Sequence, residues 1–368
     1  MLAIGLLVAA LGCGDDLPLR ERIASTRPLA VRVEVLDPAA DADAPVRVEA
    51  LPIERVRLVP WIVDPREPLS DERILAEIEP VWLACPIRPF EGLFACLSAR
   101  LPLSPDELVA CPEPSVADVG SLDQLPELPI PCRIEGGSAA RPELVVPLDP
   151  SFVLGGDLEI TMVGHVPGVG STASCLERLL ERPEAFADEC LYLTQRLPVG
   201  PDALLLQLAL DLGLATPEQL GPIPDTIPEP DANPRIIRFS VAVVDASGRV
   251  LETHEVARGE VLELPAGAKL EIETEAPESD LQTFLVPRDG ESFGERQETY
   301  SGQWFRNWGD LLSASSNDPV SRNTWTLEPG PQDEDAGPPS GRATLYYVLR
   351  DSRQGVDWWW FHVDVTRD

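Results

Sequence analysis

The chain has 368 residues, enough for two or three domains of ordinary size, and its 62 acidic residues against 29 basic ones leave a formal net charge of −33. Such a surface repels phosphate backbones, which argues against nucleic-acid binding; Lys269 is the only lysine, and three histidines (His165, His254 and His362) are too few for a multi-histidine metal centre. The 39 prolines argue against a mostly helical protein, while an apolar content of 44% is enough for real cores.

Residues 1–12, MLAIGLLVAALG, are uncharged and apolar. The run is too short to cross a bilayer, which takes about 20 residues, and fits the apolar region of a signal peptide. It ends Ala10-Leu11-Gly12-Cys13, which resembles the lipobox of bacterial lipoproteins. That resemblance implies a diacylglycerol thioether on Cys13, cleavage before it, and a signal peptide over 1–12. With Gly14 next, it further implies sorting to the outer membrane. Residues 13–28 then read as a polar tether. Several acyl chains anchor firmly, since each buried CH₂ contributes about 0.8 kcal/mol.

Beyond Cys13 stand Cys85, Cys96, Cys111, Cys132, Cys175 and Cys190. Six cysteines in an exported chain predict up to three disulfides, and the absence of any C-x₂-C spacing argues against zinc. Cys175 pairs best with Cys190, because the other four cluster upstream; closing that loop is worth about 3 kcal/mol in the chain-entropy picture. The pairing of the other four stays open.

In chain order, residues 29–36 alternate with Val31, Val33 and Val35 on one face, predicting a half-buried strand. Residues 46–51 alternate again. Residues 55–63 form a third predicted strand, with Pro60 placing it at an edge or bulge. Residues 81–85 read as a buried strand, and 155–164 as another with Leu158, Ile160 and Met162 inward. A short helix capped by Thr172 or Ser174 carries Cys175, and Cys190 opens a strand to Leu197. Residues 201–214 (PDALLLQLALDLGL) are the best helix candidate, with Asp202 as its cap. Proline-rich residues 216–234 then predict a stiff linker and a domain boundary.

From Arg235 on the pattern is all-β. Ile237, Phe239, Val241 and Val243 alternate up to the hairpin turn Asp245-Ala-Ser-Gly248, and short strands follow to Val365. This part resembles the immunoglobulin-like sandwich modules of bacterial surface proteins, through Asn233-Pro234 before the first strand, Trp325 between Thr324 and Thr326, and the run from Leu345 to Trp358. The resemblance implies a final hairpin turning over residues 351–355; no functional residue carries over. The N-terminal part reads as a distant copy, with Leu51-Pro52 before Val56 and Leu58 paralleling Leu264-Pro265 before Ala268 and Leu270. We therefore expect a mainly β chain of two immunoglobulin-like β-sandwich domains: 29–199 with disulfide-stapled insertions and short helices, a helix and linker over 200–234, and 235–368.

Three constellations bear on function. Asp37, Asp41 and Asp43 share one turn, and Asp333, Glu334 and Asp335 another; both read as solvated acidic loops or as weak calcium ligands, calcium being the only cofactor considered. In Trp358-Trp359-Trp360-Phe361, alternation sends one pair into the core. The other pair is either covered, with Trp304 and Trp308 as candidates, or open as a platform for sugar rings or a partner protein. Abundant carboxylates leave room for a glycoside-hydrolase pair without singling one out. The expectation is a lipid-anchored envelope protein with a structural or protein-interaction role and no catalysis, its partners being the membrane and an envelope protein or polysaccharide. A carbohydrate- or calcium-dependent adhesive module and a secreted hydrolase are the alternatives.

Overall fold

A computed structural model describes residues 20–37, 44–88, 104–114, 128, 131–135, 140–153, 155–181, 188–214, 216–220, 227–288, 292–330, 333, 337–338 and 341–366. Cys13 and the rest of the signal and lipobox region lie outside them, as do Asp41, Asp43, Cys96, Glu334 and Asp335. The first half contributes β1 (Arg27–Val35), β2 (Arg55–Val63), β3 (Val81–Ile87), β4 (Cys132–Arg133), β5 (Glu143–Val145), β6 (Asp157–His165) and β7 (Cys190–Leu197). Its longest described helices are α1 (Thr172–Glu181) and α2 (Asp202–Asp211). The second half contributes β8 (Arg238–Val244), β9 (Val250–Glu255), β10 (Val261–Pro265), β11 (Lys269–Glu275), β12 (Thr283–Arg288) and β13 (Ser292–Gln297). It continues with β14 (Tyr300–Arg306), β15 (Asp310–Leu311), β16 (Ser315–Ser316), β17 (Val320–Thr326), β18 (Arg342–Asp351) and β19 (Val356–Thr366).

Each half is a sandwich of two sheets. In the first, β1-β2-β5 faces β4-β3-β6-β7; in the second, β15-β17-β11-β8-β9 faces β10-β19-β18-β14-β16, and β12-β13 stands apart as a hairpin. The alternation read from the sequence fills both interiors. Val31, Val33, Val35, Leu58, Trp82, Ile160 and Met162 share one core. Phe239, Val241, Leu270, Trp304, Trp325, Tyr347 and Phe361 share the other.

The two halves follow one path. In the second, β8 runs antiparallel to β11, β11 to β17, and β10 lies parallel beside β19. In the first, β1 runs antiparallel to β2 and β2 to β5, while Ala50 bridges in parallel to Val199 just after β7. The paralleled Leu51-Pro52 and Leu264-Pro265 thus sit at corresponding places. Residues 46–51, expected as a strand, make only isolated bridges, Arg47 to Ala232 and Ala50 to Val199. Their backbone is committed instead to single partners such as Asp231 O and Pro198 O.

Local chemistry explains the remaining departures. Pro60 lies within β2, where β5 covers only Arg55–Arg57. Leu58 donates its N–H to Pro142 O on that side, so by alternation the N–H that Pro60 lacks would face the same edge, beyond the end of β5. Ser171, one residue before Thr172, caps α1 by accepting the Ser174 N–H at 3.3 Å, while Thr172 donates its hydroxyl to Ile78 O. Asp202 is not the cap of α2: it is the first helical residue, after Pro201.

β2 is buried on both faces, which makes the two sandwiches one stack. Val56, Leu58 and Ile62 enter the first core, whereas Val59, Trp61 and Val63 pack on Phe305, Tyr346, Val348, Val356 and Trp358 of the second half. β18 is shared in the same way, giving Leu345, Tyr347 and Leu349 to its own core and Tyr346 and Val348 to this interface. The linker end is held there too. Asn233 donates its side-chain N–H to Val33 O and accepts the Val356 N–H at 2.9 Å.

Candidate functional site: the junction of the two sandwiches

The aromatic run is not an open platform. Trp358 stacks on Trp61, with ring centroids 5.4 Å apart and planes within 8°, and Trp360 leans on the same ring. Trp359 stacks on Phe239 at 5.8 Å, and Phe361 packs edge-on to Trp325 in the core. The cover comes from β2 rather than from Trp304 or Trp308, which belong to the second core. Arg32 and Arg258 close the rims, each with its guanidinium 4.8 Å from a ring centroid, Trp358 and Trp359 respectively. Both also pair with the buried Asp357.

The two described members of the acidic loops, Asp37 and Asp333, both have basic neighbours. The Asp333 side chain is fully buried against the equally buried Arg306 at 3.2 Å, pairs with Arg22 at 3.0 Å, and accepts the N–H groups of Gly309 and Gly330. It is a buried structural counter-ion and not a solvated loop carboxylate. Asp37 lies 4.0 Å from Arg47. Among the described residues, no group of three His, Cys, Asp or Glu side chains is arranged to hold a metal. Cys111–Cys132 and Cys175–Cys190 are disulfides, and Cys85 is disulfide-bonded as well. Cys175–Cys190 staples α1 to the start of β7.

The concentration of polar groups that sequence reading missed sits where the β18–β19 turn meets the first half. Asp351 Oδ1 shapes the turn by accepting the N–H groups of Arg353 and Gly355, each at 2.8 Å, with Gln354 at a φ of 87°. The turn drives Arg353 into the junction. Its guanidinium donates to Glu49 of the first half, to Glu298 at 3.1 Å and to Gln282 at 3.3 Å, and lies 5.0 Å from the centre of the Phe284 ring. Gln195 of β7 reaches across to donate to Gln354 O.

Beside this contact lies a cavity of about 510 Å³, in the size range of small-ligand pockets, lined among others by Glu49, Asp157, Asp202, Arg196, Phe284 and Arg353. Burial pushes the Asp202 carboxyl up to about 7, with Asp157 and Glu49 adding like charge. Burial also raises Asp157, to about 6 against the pull of Arg196, and it raises Glu49 against the pull of Arg353. The cavity therefore holds carboxyl groups that titrate above their ordinary range. The turn itself is legible as Asp351-Ser-Arg-Gln-Gly355; that its arginine meets Glu49, 304 residues earlier, has no signal in the sequence.

Taken together, the fold defines a protein of two stacked immunoglobulin-like β-sandwiches with a charged junction. No protein-family model matches the chain, and no curated protein matches its sequence. Among solved structures, dimeric latent PorU from Porphyromonas gingivalis matches at 10% identity and a TM-score of 0.18, over 94% of this chain but 24% of its own. The CupB6 tip adhesin from Pseudomonas aeruginosa matches at 10% identity and a TM-score of 0.15, over 94% of this chain and 99% of its own. At these scores neither backbone superposes on this one.

Proposed function

We propose that this is a lipid-anchored protein of the cell envelope, held at the outer membrane through Cys13, that works as a structural or interaction module and not as an enzyme. The observation that carries this reading is the closed disulfides, Cys111–Cys132 and Cys175–Cys190, in the half that follows the lipobox. Such bonds persist outside the reducing cytosol. The stacked sheets bury the aromatic surface that a soluble monomer would have to hide. Two of the three histidines are spent on structure, His165 on Thr172 and His362 on Thr344. An envelope protein or a polysaccharide is the class of partner, to be met on a strongly acidic surface. The test is fatty-acid labelling with N-terminal mass spectrometry of the membrane fraction. The wild type should carry a lipidated Cys13, and Cys13→Ala should lose both label and membrane. An unmodified Met1 with reduced thiols would refute the reading.

One observation favours a second reading, a secreted glycoside hydrolase. Asp157 and Asp202 line one cavity with carboxyls raised to about 6 and about 7, the kind of tuning that lets a carboxyl serve as a general acid. Hydrolysis of any member of a broad glycan panel, abolished by Asp202→Asn, would establish it; an inactive wild type removes it. An adhesive module dependent on sugar or calcium would need a site other than the covered tryptophans or Asp333.

A further inference from the structure

At the junction one cation is shared among more carboxylates than it can satisfy. Arg353 commits its donors to Glu49 and Glu298, and Asp351 commits an oxygen to the turn backbone. Asp231, four residues before Arg235, lies among them, completely buried. Its backbone is well used: its N–H donates to Glu49 at 2.9 Å, and its carbonyl accepts the N–H groups of Val48 and Glu49. Its two carboxylate oxygens are different. Both are shut away from solvent and neither has a hydrogen-bond partner; the nearest cation is Arg353 Nη1, at 3.9 Å. Glu49 and Arg353, which face it, also act on Asp202, beside Asp157 and its partner Arg196. Asp351 and Glu298 in turn act on Tyr300, whose hydroxyl donates to Pro277 O beside the Arg235–Asp280 pair.

An ionised carboxylate in this position would be buried without a hydrogen bond and faced by Glu49, Glu298 and Asp351, a cost that groups in proteins avoid by taking a proton. We propose that Asp231 is a proton-operated catch. Protonated, it lets Glu49, Glu298 and Asp351 close around Arg353 and locks the two sandwiches together. Ionised, it forces residues 46–51 and the β18–β19 turn apart. Burial first, and then the charge of Asp351, act in the same sense by raising the Asp231 carboxyl. A carboxyl raised in the closed state keeps a proton that the open state gives up. The lock is therefore strongest in mild acid and is lost as pH rises from the ordinary carboxylate range through the raised value, by up to about tenfold in the opening equilibrium per pH unit. This inference stands whether or not the chain is anchored.

The experiment is amide hydrogen exchange on the full chain at pH 5.5, 7.0 and 8.5, corrected for intrinsic exchange. The amides read are those of Val48, Glu49, Ala50 and Val356, all of which donate across or beside the junction. In the wild type their protection should fall by up to about tenfold per pH unit, while that of Val241 and Leu270 in the second core holds. Asp231→Asn, neutral at every pH, should flatten the dependence while keeping the protection found at pH 5.5. A wild type whose junction amides do not respond to pH, or respond no more than those of the second core, overturns the proposal whether or not the variant folds. So does a variant that keeps the wild-type slope.

Discussion

Trp61→Ala should cost about 3 kcal/mol and separate the unfolding of the two sandwiches. Trp61 is 4% exposed, stacks on Trp358 and meets Tyr346 edge-on at 6.0 Å. Truncating a buried tryptophan costs about 3–5 kcal/mol, and a well-placed aromatic pair adds about 0.5–1.5 kcal/mol beyond its area. Against this, the Trp61 indole N–H is buried without a partner, so its removal relieves a desolvation cost of about 1–3 kcal/mol. The balance falls at the low end of the truncation range. Because β2 gives Trp61 to the interface and Leu58 and Ile62 to its own core, the loss falls on coupling rather than on either interior. Urea unfolding followed by far-ultraviolet circular dichroism reads both effects. The wild type should show one transition or two closely spaced ones, and the variant two resolved transitions. Trp61→Phe, which keeps a ring and drops the N–H, should stay within about 1 kcal/mol. A loss below about 1 kcal/mol in Trp61→Ala, with the unfolding curve unchanged in shape, would show that this contact does not hold the halves together.

Other outcomes follow from single contacts. Cys175→Ser removes a disulfide closing a separation of 15 residues, and should cost about 3 kcal/mol in a denaturant titration; reduction of the wild type, which also opens Cys111–Cys132, should cost more. Asp333→Ala strands the fully buried Arg306 and should cost about 3–5 kcal/mol by the same assay, more than the removal of any exposed ion pair such as Arg249 with Asp245. Asp202 and Asp157, raised to about 7 and about 6, hold protons in the folded state that the unfolded chain releases near 3.8. The stability they contribute is therefore present at about pH 4 and declines as pH rises through 6 to 7. Melting temperatures taken between pH 4 and 8 should fall with rising pH, and Asp202→Asn should flatten part of that fall.

Periodicity made the sandwiches legible. Val31, Val33 and Val35, or Phe239, Val241 and Val243, alternate because one face of a strand meets a core and the other does not, and that is a local property of the chain. Turn chemistry was equally local: Asp245 accepts the Ser247 and Arg249 N–H groups, and Gly248 takes a φ of 80°. The Cys175–Cys190 pairing could be read because the other four cysteines cluster upstream. Composition and the first thirteen residues set the expected compartment.

Tertiary structure decided everything that depends on what lies across a gap. The same alternation that puts Trp358 and Trp360 on one face says nothing of whether water or Trp61, 297 residues before Trp358, will cover them. An acidic loop and a buried counter-ion are identical strings until Arg306 is placed opposite Asp333. The junction of Glu49, Asp231, Glu298 and Arg353 draws on segments up to 304 residues apart, and its energetics come from burial, which no residue carries by itself. Pattern along a chain encodes which face of an element is apolar; only packing determines which charged groups lose their water together.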